Sequence, residues 1–311
     1  MPQRIRKGQS IQQWIGESRK RNVRDKSMPI LLMIASLISV MATLGIVSTL
    51  IIETFEFFQR VSIFEYLFGT EWYPFSSGNP TFGVLPLLMG TLKVTFIAIC
   101  VAVPLGLAAA IYLSEYATER TRRIMKPILE VLSGVPTIVY GFFALTFVTP
   151  ILQIFIPSLK LFNALSPGIV VGIMILPSII SLSEDAMNAV PNSIREGALA
   201  LGATKLEVSL KVVIPAALSG IVASIVLAIS RAIGETMIVS LAGGATPTFD
   251  MNITGSIQTM TAYIVQVSSG DAGFGTTIYY SMFAVGFTLF VFTLLMNVVA
   301  HTISKRFREE Y

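Results

Sequence analysis

The sequence predicts an all-α polytopic membrane protein with six transmembrane helices and both termini in the cytosol. Three observations carry that expectation: 53% of the 311 residues are apolar against 13% charged, uncharged runs of spanning length recur, and Lys and Arg are distributed unevenly between loops. At a mean hydropathy of +0.74, a water-soluble fold would lack the charge to cover its surface. Crossing about 30 Å of hydrocarbon takes about 20 apolar residues at about 1.5 Å each.

The first uncharged run is 29–52, and 94–113 is the second. The runs 131–159 and 161–183 are separated by Pro157, Pro167 and Gly168, which read as a turn between two more helices. Residues 212–243 are apolar apart from Arg231 and Glu235, and 272–304 hold no formal charge, with His301 near their end. The first run follows a basic segment, but it is longer than a signal-peptide core and has no small-residue cleavage site, so it is expected to be retained. Cys100 in the second run is expected to be a small buried hydrophobe.

Basic residues concentrate in the loops and tails that stay cytosolic. They crowd the amino-terminal segment (Arg4, Arg6, Lys7, Arg19, Lys20, Arg21, Arg24, Lys26) and the loop after the second run (Arg120, Arg122, Arg123, Lys126). Arg195, Lys205 and Lys211 follow the fourth run, and Lys305, Arg306 and Arg308 close the chain. The opposite loops hold only Arg60, Lys93 and Lys160. The net charge of +4 is therefore topology, and nucleic acid is not an expected partner. The expected organisation is a cytosolic basic segment 1–28, a membrane domain 29–304 with an external loop 53–90 and a cytosolic loop 191–215, and a tail 305–311.

The external loop carries Phe55, Phe57, Phe58, Trp72 and Tyr73, rings expected at headgroup depth, with docking of an external protein as the alternative. The loop 244–275 reads as a polar external connection. Pro104, Pro136, Pro150 and Pro177 are expected to kink or break helices where neighbours satisfy the freed backbone groups.

The stretch 193–215, SIREGALALGATKLEVSLKVVIP, predicts two short helices interrupted at Gly202, with Pro215 starting the next span. Its Glu196-Gly197-Ala198, Gly202, Val212, Ile214 and Pro215 resemble the EAA signature of ABC importer permeases, with Gly197 in place of an Ala. The resemblance runs from about residue 82 to 307 and is closest to the membrane subunits of the Pst phosphate importer. Pro104-Leu105-Gly106, 112–116 (YLSEY), 134–141 (GVPTIVYG) and 230–237 (SRAIGETM) carry it, and the Gly234-Glu235-Thr236-Met237 ending is more similar to the PstC type than to its PstA sister. Sulfate and molybdate permeases tend toward Leu-Gly-Glu-Phe-Gly there.

The resemblance implies a type I ABC importer permease fold in a bacterial or archaeal inner membrane. It implies an ATPase dimer (PstB-like) that docks on Glu196, Gly197, Ala198 and Gly202, a sister permease (PstA-like), a phosphate-binding protein (PstS-like), and inorganic phosphate as cargo. The chain carries no G-x-x-x-x-G-K-[ST] loop, so ATP and Mg are expected on the partner ATPase, with no cofactor bound by this chain and no enzymatic activity of its own. No Cys/His cluster suggests a metal, and His301 reads as an interfacial or packing residue.

Arg231 midway along an apolar segment costs about 2.5–3.5 kcal/mol on insertion scales and needs compensation. Glu235 stands four residues on, so on one continuous helix the two would share a face and neutralise each other. A guanidinium fork can bind two phosphate oxygens, and Glu235 can recapture it when the anion leaves. Arg231 and Glu235 are thus the expected substrate-binding pair, set against a purely structural ion pair; Thr137, Tyr140 and Thr236 are candidate hydroxyl donors. A permease for another oxyanion, and a channel or secondary transporter without an ATPase, are the rival readings.

Overall fold

The computed structural model describes residues 11–306, with the side chains of 28–270, 272–299 and 302. The expectations placed on the side chains of the amino-terminal basic segment, on His301 and on residues 305–311 lie outside the described side chains. Helix predominates because backbone groups in hydrocarbon must find their partners within the segment. The chain divides into two compact units, 1–52 and 53–311.

Helix α1 (Ile11–Phe58) begins in the first unit and ends in the second. Within the first unit, residues such as Leu31, Met33, Ile38 and Ile46 are exposed around the helix, an apolar surface suited to lipid.

The second unit continues with α2 (Ile63–Phe68), then a hairpin of β1 (Trp72–Tyr73) and β2 (Thr81–Phe82) that pairs Trp72 with Phe82. Next come α3 (Leu85–Ile111), prolonged by a π-helical turn to Tyr116, α4 (Glu119–Gly134), α5 (Thr137–Phe143) and, after a second π turn, α6 (Thr149–Phe155). Then follow α7 (Leu165–Asn188), α8 (Asn192–Ala200), α9 (Lys205–Val208) and α10 (Ile214–Ala216). The series ends with α11 (Leu218–Ile233), α12 (Met237–Ala242), α13 (Met260–Gln266) and α14 (Thr277–Arg306).

Among the described residues, five helices are long and apolar enough to cross a membrane, and six if a bent pair counts as one span. That pair is Lys205–Ala216 with Leu218–Ile233, bent by 71°. The expected single helix over 212–243 is therefore corrected: it bends at Ala217, stops at Ile233, and resumes as α12. The run 131–159 is also divided, because α4 ends at Gly134 and Pro136 precedes α5. Pro104 and Pro177, in contrast, sit inside α3 and α7 without ending them.

The core is centred on α7, which packs against α3 and α11. The approach to α3 is close because Gly172 has no side chain: a Cβ there would lie 2.9 Å from the Ala98 carbonyl oxygen. On the other side, the hydroxyls of Ser183 and Ser224 join α7 to α11 at 2.7 Å.

At the hairpin end of the bundle, Trp72 is buried with Phe57, Tyr66, Phe82 and Tyr263, its ring perpendicular to that of Tyr263 at 4.8 Å. This corrects the headgroup expectation for Trp72: the ring fills an aromatic core. Lys93 is not a loop residue either; it is buried on α3 and paired with Asp250 at 2.7 Å. The supposed polar loop 244–275 contains the buried helix α13, and Cys100, expected to be buried, is exposed.

Candidate functional site

Two places in the second unit bear the residues singled out by sequence. The first is the junction of α11 and α12. Arg231 lies in the last turn of α11, where its positive charge suits the partial negative charge of the helix end. Its Nη1 donates to Oγ of Ser178 on α7 at 3.1 Å. Gly234 then caps the helix, so Glu235 does not continue on the Arg231 face. Among the described residues no ion pair joins Arg231 to Glu235. The expected pairing through one turn of continuous helix is therefore corrected, and its cause is the chain break at Gly234.

Glu235 turns away into the core, with 8% of its surface exposed. Its carboxylate accepts from the Ile238 amide at 3.3 Å, and its backbone carbonyl accepts from the Thr261 hydroxyl of α13 at 2.8 Å. It thus ties α12 to α13, while among the described residues the hydrogen bond of Arg231 goes to the neutral Ser178 hydroxyl. Two of the three hydroxyl candidates, Tyr140 and Thr236, donate to local backbone, Tyr140 to the Leu132 carbonyl oxygen and Thr236 to that of Gly234.

Ser178 also lines a cavity of about 280 Å³ between α4, α7 and α11, together with Ser133, Ser181, Lys126 and Glu184. The Lys126 ammonium is 3.1 Å from Glu184, which is 1% exposed, and 3.7 Å from Asp185. The hydrogen bond to Glu184 is the main reason the Lys126 pKa is held above the ordinary lysine value. Arg231 thus reaches the cavity wall through Ser178, and the wall itself carries Lys126, already paired with Glu184, and the carboxylate of Glu130.

The second place is the helical hairpin α8–α9. Glu196 and Gly197 are exposed on α8, whereas Ala198 is half-buried against a cluster that includes Val190, Val208 and Val213. Gly202 has φ +88°, a conformation that glycine adopts without the steric cost of a side chain. A reciprocal capping box between Thr204 and Glu207 starts α9. The reversal leaves Leu201 90% exposed. Sequence reasoning missed Leu201, since an apolar residue in a helical pattern reads as core; its place before the Gly202 reversal was the available signal.

Residues 102–309 match the family described as binding-protein-dependent transport system inner membrane components. The chain belongs to this family. The permease is 34% identical over 276 residues to a probable ABC transporter permease, YqgH, of Bacillus subtilis, covering 89% of this chain and 87% of the relative. It is 32% identical to the phosphate transport system permease protein PstC of Xylella fastidiosa, with 78% of each chain covered. For the PstC of Mesorhizobium japonicum the identity is 33%, over 75% of this chain and 77% of the relative.

Two solved structures share the fold. A bacterial ABC transporter involved in import of the acidic polysaccharide alginate aligns with a TM-score of 0.65 at 15% identity, covering 93% of the permease and 100% of that chain. An inward-facing MetNI methionine ABC transporter aligns at 0.53 and 19% identity, covering 73% and 95%. The permease is thus a multi-pass inner-membrane transport subunit of the ABC importer class with a type I fold.

Proposed function

We propose that the permease forms, with a second permease, the path by which inorganic phosphate passes from an external binding protein to the cytosol while a separate ATPase dimer hydrolyses ATP. The observation that carries this reading is the Arg231 guanidinium, which has no carboxylate partner among the described residues and donates to Ser178 on a cavity wall. A planar fork suits two oxygens of a tetrahedral anion. The PstC relatives named above support phosphate as that anion.

In this reading Arg231 contacts the anion, and Glu235 keeps the break between α11 and α12 in place. Release follows when the Glu235 carboxylate exchanges its Ile238 contact for Arg231. At the other site, Glu196, Gly197, Ala198 and Gly202 form the ATPase-docking surface on the cytosolic side, with Leu201 as its apolar knob.

The test is ATPase activity of the assembled transporter in vesicles, with its binding protein loaded in turn with phosphate and with sulfate. Stimulation by the phosphate-loaded protein alone supports the cargo. Stimulation by the sulfate-loaded protein alone overturns it. Uptake by this chain by itself, with no ATPase, would overturn the ATP-driven mechanism.

A further inference from the structure

We infer that Arg195, on the first helix of the docking hairpin, is a positioning residue that carries hairpin movement into α7 and the cavity beside Arg231. Its Nε and Nη2 donate to Glu115 Oε1 at 3.3 and 3.2 Å. The same guanidinium donates from Nη2 to the Met187 carbonyl oxygen at 2.7 Å and from Nη1 to that of Val190. One side chain thus grips three elements: its own helix α8, the last turn of α7, and the π turn that ends α3.

The grip continues inward through side chains. Ser114, beside Glu115, donates to Asn188 at 3.1 Å, and Asn188 donates to Glu184 at 3.2 Å. Glu184 pairs with Lys126 of α4 at the wall of the cavity. The Arg195 and Glu115 side chains are only 15% and 6% exposed, so their contact is screened far less than a surface pair. Glu196, the next residue, is exposed. Adjacent positions therefore face opposite ways, one toward a docking partner and one toward the bundle. Coupling between distant sites is carried by chains of packed side chains and hydrogen-bond networks, and charge-assisted contacts such as Arg195–Glu115 are the strong links in them.

This inference rests on the reading of the hairpin as the ATPase-docking surface. The test uses the assembled transporter in a Cys100→Ser background with Ser181→Cys on the cavity wall of α7 as a thiol probe. Two quantities are read: the ATPase that co-purifies, and the change in probe labelling rate on trapping with ATP and vanadate. With Arg195 intact the ATPase co-purifies and labelling changes at least about fivefold, the lower end of typical site-to-site coupling.

In Arg195→Gln and Glu115→Gln the ATPase should still co-purify while the labelling change is lost. Arg195→Lys keeps the charge but cannot span Glu115 and two carbonyls at once, so it should give an intermediate response. An unchanged labelling response in both Gln variants, with the ATPase bound, overturns the inference. Should one Gln variant fail to assemble, the other decides. Failure of the ATPase to co-purify even with Arg195 intact would instead overturn the docking reading.

Discussion

Arg231 and Glu235 show how one backbone break changes the meaning of two side chains. Adjacent on a continuous helix, they would neutralise each other; separated by the Gly234 cap, one holds a neutral hydroxyl and the other accepts from the Ile238 amide in the first turn of α12. Replacing Arg231 by Met removes a charge-assisted contact worth about 1.5–3 kcal/mol, so apparent phosphate affinity in vesicle uptake should fall about tenfold to a hundredfold. Arg231→Lys should fall between, and membrane levels on a blot should be unchanged in both. Because Glu235 is already engaged elsewhere, loss of Arg231 strands no buried carboxylate. The Lys93–Asp250 pair makes a second residue-scale prediction. Hydrogen bonding to Lys93 holds the Asp250 pKa below the ordinary aspartate value. The pair's stabilisation is therefore fully present above that value, about 3.9, and is lost as pH falls through the lower folded value. Asp250 is half-exposed, so the effect should stay under about 1 kcal/mol. Protease sensitivity of 244–259 should rise below about pH 4, and Asp250→Asn should flatten that dependence.

The elements were legible in sequence where one property dictated them. Uncharged length marked α1, α3, α7 and α14, and Gly202 marked the reversal between α8 and α9. The break at 234–236 was not legible, because Gly is tolerated inside many membrane helices and hydropathy is blind to caps. The burial of Trp72 and Lys93 was also hidden, since each depends on partners far away in sequence, Tyr263 and Asp250. Two glycines of the α8–α9 hairpin should separate in a thermal melt. A Cβ at Gly197 meets nothing within 4 Å, so Gly197→Ala should stabilise by about 0.5–1 kcal/mol. Gly202→Ala forces a side chain into φ +88° and should destabilise by about 1–2 kcal/mol. Equal effects at the two positions would contradict the described reversal.

At the scale of the whole molecule, the second unit holds a cavity whose Ser178 meets Arg231 and, at the far end of α7, the α8–α9 hairpin. Glu196 and Gly202 lie outside the candidate spans, so Glu196→Lys and Gly202→Trp should both insert normally yet lose co-purifying ATPase; normal uptake with the ATPase retained would remove the hairpin from the coupling path. The central claim, an ATP-driven phosphate path that uses Arg231, is tested most directly by uptake of labelled phosphate into vesicles. These would contain this permease with its sister subunit, ATPase and binding protein, either native or Arg231→Met at equal membrane content. Phosphate accumulation that requires ATP and, at subsaturating phosphate, falls about tenfold to a hundredfold in Arg231→Met is the predicted result. Equal uptake by the two forms, or accumulation of sulfate but not phosphate, would contradict it.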